Sequence, residues 1–265
     1  MGEKKAEVLI KDLIILMSVM ITKRQPALTL MGKLKFHLRD LMSEIIVKIK
    51  INNEFKEFKY SGELNIPVTT LLDDIGEITY SCSCLQGLCG ACAMVINSQP
   101  RLACQTIVGE EQITQEYGII TIEPLSKFPL IKDLKVDKTK LYEDLKESGQ
   151  WLESDAQINS DNIDFEYEMS LCLMCGCCVE ACPNYDGKDF VGAPIAVSSS
   201  KIISQESNSA HLKELKDKYR DRFYSHCVKS IACEDVCPMG IETQRAISKM
   251  NKKAVWKLWR IFERD

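Results

Sequence analysis

The sequence predicts an α+β chain, with a small β-rich domain at residues 43–128 and an all-helical domain at residues 129–265. Short runs of alternating apolar and polar residues fill the first part, and amphipathic helical patterns fill the second. A cysteine motif occurs twice in the second part. The 265 residues are enough for two domains, each with its own core.

The β-rich domain begins with a predicted hairpin. Apolar residues alternate with lysines over residues 47–51, which predicts a strand with one buried face. Asn52 and Asn53 then predict a tight turn, and "FKEFKY" predicts the return strand. A short helix is expected in "PVTTLLDDIG", beginning near Thr69 or Thr70.

Three further strands are predicted in "AMVIN", "RLACQTI" and "GIITIEP". The proline-containing segment "EPLSKFPLIKDLKVD" predicts the linker to the second domain. Helical patterns follow in "DKTKLYEDLKESGQWL", "GAPIAVSSSKIISQE" and "AHLKELKDKYRDRF". The tail "ISKMNKKAVWKLWRIFERD" predicts a helix packed on a partner or on its own domain, with a membrane-surface helix as the alternative.

Several classes of function are disfavoured. A net charge of −4 gives no support for nucleic-acid binding. The longest apolar run, "LIILMSVMI", is far shorter than the ~18 residues of a membrane span. There is no G-x-G-x-x-G motif, and His37, His211 and His226 form no constellation, so we predict no catalytic residue. Residues 1–42 predict either a disordered extension or a start assigned too early, with Met42 as the native first residue.

The cysteines are the informative residues. Twelve of the thirteen fall within residues 82–92, 172–182 and 227–237, and Cys104 follows the first group. Disulfide frameworks spread cysteines along a chain, whereas short spacings without a secretory signal predict metal ligation.

The first group has the C-x4-C-x2-C…C spacing of a plant-type ferredoxin, which holds a [2Fe–2S] cluster. Gly87 and Gly90 let the loop curl closely around the cluster. A zinc site is the alternative, although zinc sites favour paired two-residue spacings. Cys82 breaks the spacing and is predicted to be a spare thiol. The predicted ligands are Cys84, Cys89, Cys92 and Cys104.

The second and third groups are two copies of a bacterial ferredoxin motif, "CLMCGCCVEACP" and "CVKSIACEDVCP". In two-cluster ferredoxins the fourth cysteine of such a motif ligates the other cluster. Cys177 lies between ligand positions and is not predicted to be a ligand. One predicted site, a [4Fe–4S] cluster, takes Cys172, Cys175, Cys178 and Cys237. The other takes Cys182, Cys227 and Cys233.

The site of Cys182, Cys227 and Cys233 lacks a fourth cysteine. The second copy of the motif has Ser230 at the position that Cys175 holds in the first copy. Because clusters are held by thiolates with few exceptions, three thiolates predict a [3Fe–4S] cluster. The alternative is a four-iron cluster whose odd iron is held by Ser230 or water.

With these sites placed, the chain resembles the iron–sulfur subunit of succinate dehydrogenase and fumarate reductase over residues 43 to about 250. The resemblance rests on "SCLQGLCGACAMVIN" with "PRLAC", "IEPLSKFPLIKDLKVD", "CLMCGCCVEACP" with "FVGAP", and "CVKSIACEDVCPMGI". It implies a β-grasp ferredoxin domain, a helical domain and the same three ligand sets.

The resemblance also implies a function. The chain would transfer single electrons between FAD on a partner flavoprotein, where the dicarboxylate reacts, and a quinone at a membrane-anchor subunit. It would lie peripherally on the cytoplasmic face of the inner membrane. The alternatives are an iron–sulfur subunit of another oxidoreductase, such as a thiol-linked fumarate reductase, and a soluble ferredoxin-type carrier.

The chain departs from the family at the quinone site. Many members have a tryptophan after the first Cys-Pro and a histidine after the first cysteine of the second copy. Here those places hold "NYD" and Val228, and His226 precedes the cysteine instead. Tyr185 is interpreted as a packed or exposed tyrosine rather than a substitute. The quinone-binding residues are therefore not predicted, and menaquinone is favoured over ubiquinone.

Overall fold

The computed structural model of the chain describes residues 44–111, 114, 117–157 and 160–256. The predicted N-terminal extension and the end of the basic tail lie outside the described residues.

The first domain is built on a mixed five-stranded sheet. The strands stand in the order β2-β1-β5-β3-β4, and the central pair β1 and β5 is parallel while the others are antiparallel. With α1 this is the expected β-grasp arrangement. The elements are β1 (Ile45–Ile51), β2 (Glu54–Tyr60), α1 (Val68–Ile75), β3 (Ala93–Ile96), β4 (Gln99–Leu102) and β5 (Ile119–Glu123).

The predicted hairpin and helix are confirmed. Every second residue of β1 is buried, as the alternation predicted. Asn52 and Asn53 have positive φ angles of 51° and 66°, the backbone that a two-residue hairpin turn of this hand requires. Helix α1 begins at Val68, one residue before the predicted start. It ends at Ile75, and Gly76 follows with a φ of +69°, a backbone that favours glycine.

The strand predicted in "RLACQTI" is wrong after its first two residues, because β4 ends at Leu102. The Gln105 amide and the Thr106 hydroxyl both donate to the Leu102 carbonyl, at 3.0 Å each, and close a turn there. Cys104 therefore lies in a turn after a strand, not on a strand.

The predicted linker contains a small hairpin, β6 (Leu130–Lys132) and β7 (Lys135–Val136). Its turn packs on the first domain, since the Leu134 amide donates to the Thr79 carbonyl and the Thr79 amide donates to Asp133, at 3.0 and 2.9 Å. The linker is thus held in place rather than free.

The second domain is helical, as predicted. Helix α5 lies at its centre and packs against α3, α6 and α8. The C-terminal end of α6 continues into a wider π-helical turn at Arg220–Tyr224. The helices are α2 (Thr139–Glu147), α3 (Ile163–Ser170), α4 (Cys177–Ala181), α5 (Ala193–Gln205), α6 (Ser209–Tyr219), α7 (Ala232–Asp235) and α8 (Thr243–Ala254).

The two domains share one apolar core. Leu125 and Phe128 of the connecting segment are buried in the same cluster as Cys175, Cys177 and Val179. Polar contacts close the same boundary, since Glu180 accepts hydrogen bonds from the Ser126 hydroxyl and the Lys127 amide at 2.6 and 3.1 Å. The first cysteine group is thereby fixed relative to the second.

Candidate metal centres

The first candidate centre is the loop between α1 and β3. It curls tightly, with φ angles of +74° at Gly87 and +69° at Gly90. The amides of Gln86 and Leu88 point inward and lie 3.4 and 3.3 Å from the Cys84 sulfur. These hydrogen bonds, with one from Cys89, lower the pKa of Cys84 to about 7 and favour the thiolate that a metal requires.

The other two thiols of this centre lie deeper. Cys92 begins the approach to β3, and Cys104 stands in the turn after β4. The Ala103 amide donates to the Cys92 carbonyl at 3.1 Å and ties the two segments together. Burial raises the pKa of Cys92 to about 11, and the adjacent Cys104 and Cys89 thiols contribute to the rise. The four predicted ligands are therefore neighbours, whereas Cys82 is exposed.

The loop is closely packed at its two glycines. A Cβ atom on Gly87 would lie 2.0 Å from the Gln105 side-chain nitrogen. One on Gly90 would lie 2.7 Å from Cβ of Cys175 and 3.0 Å from the Leu173 carbonyl oxygen. The first loop thus contacts the first copy of the repeated motif at Gly90.

The second candidate centre is a small cavity of about 30 Å³. It is lined by the four thiols of Cys172, Cys175, Cys178 and Cys237, with apolar residues around them. Burial raises the pKa of Cys178 well above its usual value, and the Cys175, Cys172 and Cys237 thiols raise it further. Cys237, from the second copy, therefore lies beside the first copy's thiols, and its role as their fourth ligand stays a prediction.

The third candidate centre is a larger cavity of about 220 Å³ between the second copy and α8. Its wall includes the thiols of Cys182, Cys227 and Cys233 together with Ser230. Burial raises the pKa of Cys227 and of Cys233, and the Cys182 thiol adds to both shifts. Cys182 is thus the thiol from the first copy that lies in the second copy's site.

These observations fit iron–sulfur clusters. The donors are all thiols, which is the donor set that such clusters use. Within the described part of the chain, no three His, Cys, Asp or Glu donors converge on a point that would suit one metal ion.

Cys177 is fully buried between the ligand positions. Its thiol donates a hydrogen bond toward Cys175, which lowers the pKa of Cys175 to about 7 and raises that of Cys177. Cys177 does not line either cavity among the described residues. Its predicted role as a non-ligand stays a prediction.

Two further residues contact these centres and were not predicted. The Thr243 hydroxyl lies 3.2 Å from the Cys233 sulfur. The Lys138 ammonium donates to the carbonyls of Gly90 and Ala91, at 3.0 and 3.5 Å. No spacing rule connects either residue to the cysteines, and only the folded chain brings them there.

The residues considered for quinone binding are separated by the fold. Val228 is 63% exposed at the mouth of the third cavity, whereas Tyr185 is only 7% exposed and belongs to the core. Tyr185 does not line that cavity among the described residues. The His226 ring stacks on Phe190, with centroids 6.3 Å apart. The interpretation of Tyr185 as a packed residue agrees with its burial.

Within residues 44–256, as far as they are described, no helix is long and apolar enough to span a membrane. The predicted tail helix is described only through Trp256.

The comparisons with known proteins agree with this geometry. Residues 46–143 match the 2Fe-2S iron-sulfur cluster binding domain, and residues 168–241 match the 4Fe-4S dicluster domain. The chain is 29% identical to the succinate dehydrogenase iron-sulfur subunit of Bacillus subtilis, a match that covers 78% of this chain and 87% of that protein. It is also 29% identical to the fumarate reductase iron-sulfur subunit of Wolinella succinogenes, covering 76% and 90%.

A solved structure shows the same fold. A chain of the Mycobacterium smegmatis Sdh1 complex in the apo form has a TM-score of 0.67 at 18% identity, covering 80% of this chain and 95% of that chain.

Proposed function

Because the chain belongs to the family of iron–sulfur subunits of succinate dehydrogenases and fumarate reductases, we propose that it transfers single electrons between FAD on a partner flavoprotein and a membrane quinone. When bound, its [2Fe–2S], [4Fe–4S] and [3Fe–4S] clusters each accept and donate one electron at a time. The dicarboxylate reacts on the flavoprotein, outside this chain.

The observation that supports this proposal most is the contiguity of the three thiol groups. The first loop touches the second group where Gly90 meets Cys175. The second and third groups exchange cysteines, and the Cys233 thiol is close enough to raise the pKa of Cys178. The chain therefore offers three adjacent sites in a row, which a one-electron path requires.

The proposed ligands follow the same groups. Each set is as the spacing predicted: Cys84, Cys89, Cys92 and Cys104 for [2Fe–2S]; Cys172, Cys175, Cys178 and Cys237 for [4Fe–4S]; and Cys182, Cys227 and Cys233 for [3Fe–4S]. Support for the last assignment comes from Ser230, which lines the cavity where a fourth thiol would stand.

The two ends of the row carry exposed apolar residues. Leu85 and Leu88 are 50% and 63% exposed on the first loop, which we assign to the flavoprotein side. Val228, Ile231 and Trp256 are exposed beside the third cavity, which we assign to the membrane anchor. Such apolar patches favour lasting contacts with partners rather than a freely diffusing carrier. We further propose that menaquinone is the electron acceptor. The chain then lies on the cytoplasmic face of the membrane.

The test is purification of the tagged chain from membranes of its own cells. We expect a flavoprotein and an anchor subunit to copurify, and the complex to oxidise succinate or reduce fumarate with a quinone. Parallel assays with quinones of low and high potential identify the acceptor. Isolation of an active, diffusing monomer would instead support the soluble-carrier alternative.

A pair of variants tests the ligand assignment within that complex. Cys84→Ala is expected to remove the [2Fe–2S] signal from the EPR spectrum of the reduced complex, because a ligand is lost. Cys82→Ala is the matched control two residues away and is expected to keep that signal. If Cys82→Ala instead lost the signal and Cys84→Ala kept it, Cys82 would be the ligand and Cys84 would not.

A further inference from the structure

Lys138 stands at the boundary between the first and second candidate centres. It precedes α2, and its ammonium group donates to the carbonyl oxygens of Gly90 and Ala91, at 3.0 and 3.5 Å. Both acceptors belong to the loop segment between Cys89 and Cys92. The lysine therefore binds the part of the first loop that faces the second centre.

The same loop segment is the point of closest approach between the two centres. A Cβ atom on Gly90 would overlap Cβ of Cys175, at 2.7 Å, so the glycine lies directly against the second centre. By holding the Gly90 carbonyl, Lys138 fixes this contact. The Gly90 carbonyl cannot move away from Cys175 without breaking this charge-assisted hydrogen bond.

Thiols of both centres lie close enough to Lys138 to influence its pKa. Burial lowers the pKa of its ammonium, and the thiols of Cys175, Cys177, Cys92 and Cys89 oppose that shift. Among the described residues, no carboxylate forms an ion pair with Lys138. Its ammonium is thus bound by two carbonyl oxygens of the cysteine loop rather than neutralised by an acid.

We propose that Lys138 is a positioning residue that holds the first loop against the second centre and raises the reduction potentials of the [2Fe–2S] and [4Fe–4S] clusters. The proposal rests on the proposed function, since it takes the two thiol groups as cluster ligands. Reduction adds one negative charge to a cluster, and a nearby cation in a medium of low dielectric stabilises that charge. A single lysine therefore stabilises the reduced state of two successive clusters.

The test is a redox titration of the purified complex, monitored by EPR, in wild type and in Lys138→Met. In Lys138→Met we expect the equilibrium constant for one-electron reduction of each of the first two clusters to fall about tenfold. This corresponds to a reduction potential lower by about 59 mV. The [3Fe–4S] cluster lies beyond the second centre and is expected to keep its potential. Lys135→Met is the matched control, because Lys135 is an exposed lysine three residues earlier.

A second variant separates charge from structure. Lys138→Gln keeps a hydrogen-bond donor without the charge, on a side chain one bond shorter, so it remains informative if Lys138→Met fails to assemble. We expect Lys138→Gln to assemble both clusters and to show the same direction of shift. Intact EPR signals with unchanged potentials in Lys138→Gln would overturn the proposal. Absence of cluster signals from the wild-type complex would contradict the proposed function instead.

Discussion

The Thr243 hydroxyl lies 3.2 Å from the sulfur of Cys233, at the wall of the third cavity. Thr243 is the first residue of α8 and is only 3% exposed. When Cys233 is a thiolate, the hydroxyl must be the donor. This hydrogen bond connects a helix that holds no cysteine to a proposed cluster ligand.

The Thr243→Val variant is predicted to lower the reduction potential of the third cluster. A hydrogen bond to a ligand sulfur stabilises the more negative, reduced state, and valine keeps the shape while removing the donor. We expect the reduction equilibrium to fall by about threefold to tenfold, up to 59 mV. The measurement is an EPR-monitored redox titration. Ser248→Ala, which lines the same cavity, is the control, and equal potentials in both variants would contradict the prediction.

The Ser230→Cys variant is predicted to convert the third site to a four-iron cluster. Ser230 lines the cavity with the three proposed ligand thiols, so a cysteine there supplies the missing thiolate. Iron analysis should rise by about one iron per chain, and the EPR signal of the oxidised three-iron cluster should disappear. Ser248→Cys adds a thiol elsewhere on the cavity wall and should keep that signal. Persistence of the signal in Ser230→Cys would show that the position cannot ligate iron.

The Gly90→Ala variant is predicted to destabilise the protein more than Gly76→Ala. Both glycines have a φ of +69°, so the backbone disfavours alanine at both positions. Only at Gly90 would the new methyl group meet another atom, Cβ of Cys175, and such overpacking costs about 1–3 kcal/mol more. Thermal unfolding followed by visible absorbance compares the two. Equal midpoints would mean that the loop moves freely away from the second centre.

The Glu206 carboxylate predicts a specific dependence of stability on pH. It accepts hydrogen bonds from the Ser154 hydroxyl and from the amides of Asn208 and Glu153, the last two at 2.7 and 2.6 Å. Led by the Ser154 bond, these contacts lower its pKa from 4.5 to about 2. Its contribution to stability is therefore complete above pH 4.5 and is lost as the pH falls toward 2.

The comparison that isolates this effect is wild type against Glu206→Gln. We expect the difference between their unfolding midpoints to be largest near about pH 7 and to shrink by about pH 3, since the glutamine has no charge to lose. Acid-induced loss of the clusters affects both proteins and cancels in the difference. A constant difference across this range would show that the carboxylate charge does not stabilise the fold.

Much of the fold was predictable from local pattern. The alternation of apolar residues and lysines in β1 predicted its buried face, and Asn52-Asn53 predicted the turn. Both features depend on neighbouring residues alone. The end of β4 was missed because the turn at Leu102 is closed by Gln105 and Thr106, whose side chains and amides are not strand-breaking by type. The β6–β7 hairpin was missed because its contact with Thr79 joins residues far apart in the chain.

The sequence by itself predicted which cysteines belong to which group, because the number of residues between thiolates limits which of them can surround one cluster. It also placed Ser230 at the incomplete site, since that position follows from the repeat. The tertiary structure alone decided what surrounds those groups. Gly90 meets Cys175, Lys138 reaches the first loop and Thr243 reaches Cys233 through contacts between distant segments. Such contacts are set by how the helices and the sheet pack, and they leave no spacing in the chain from which to predict them.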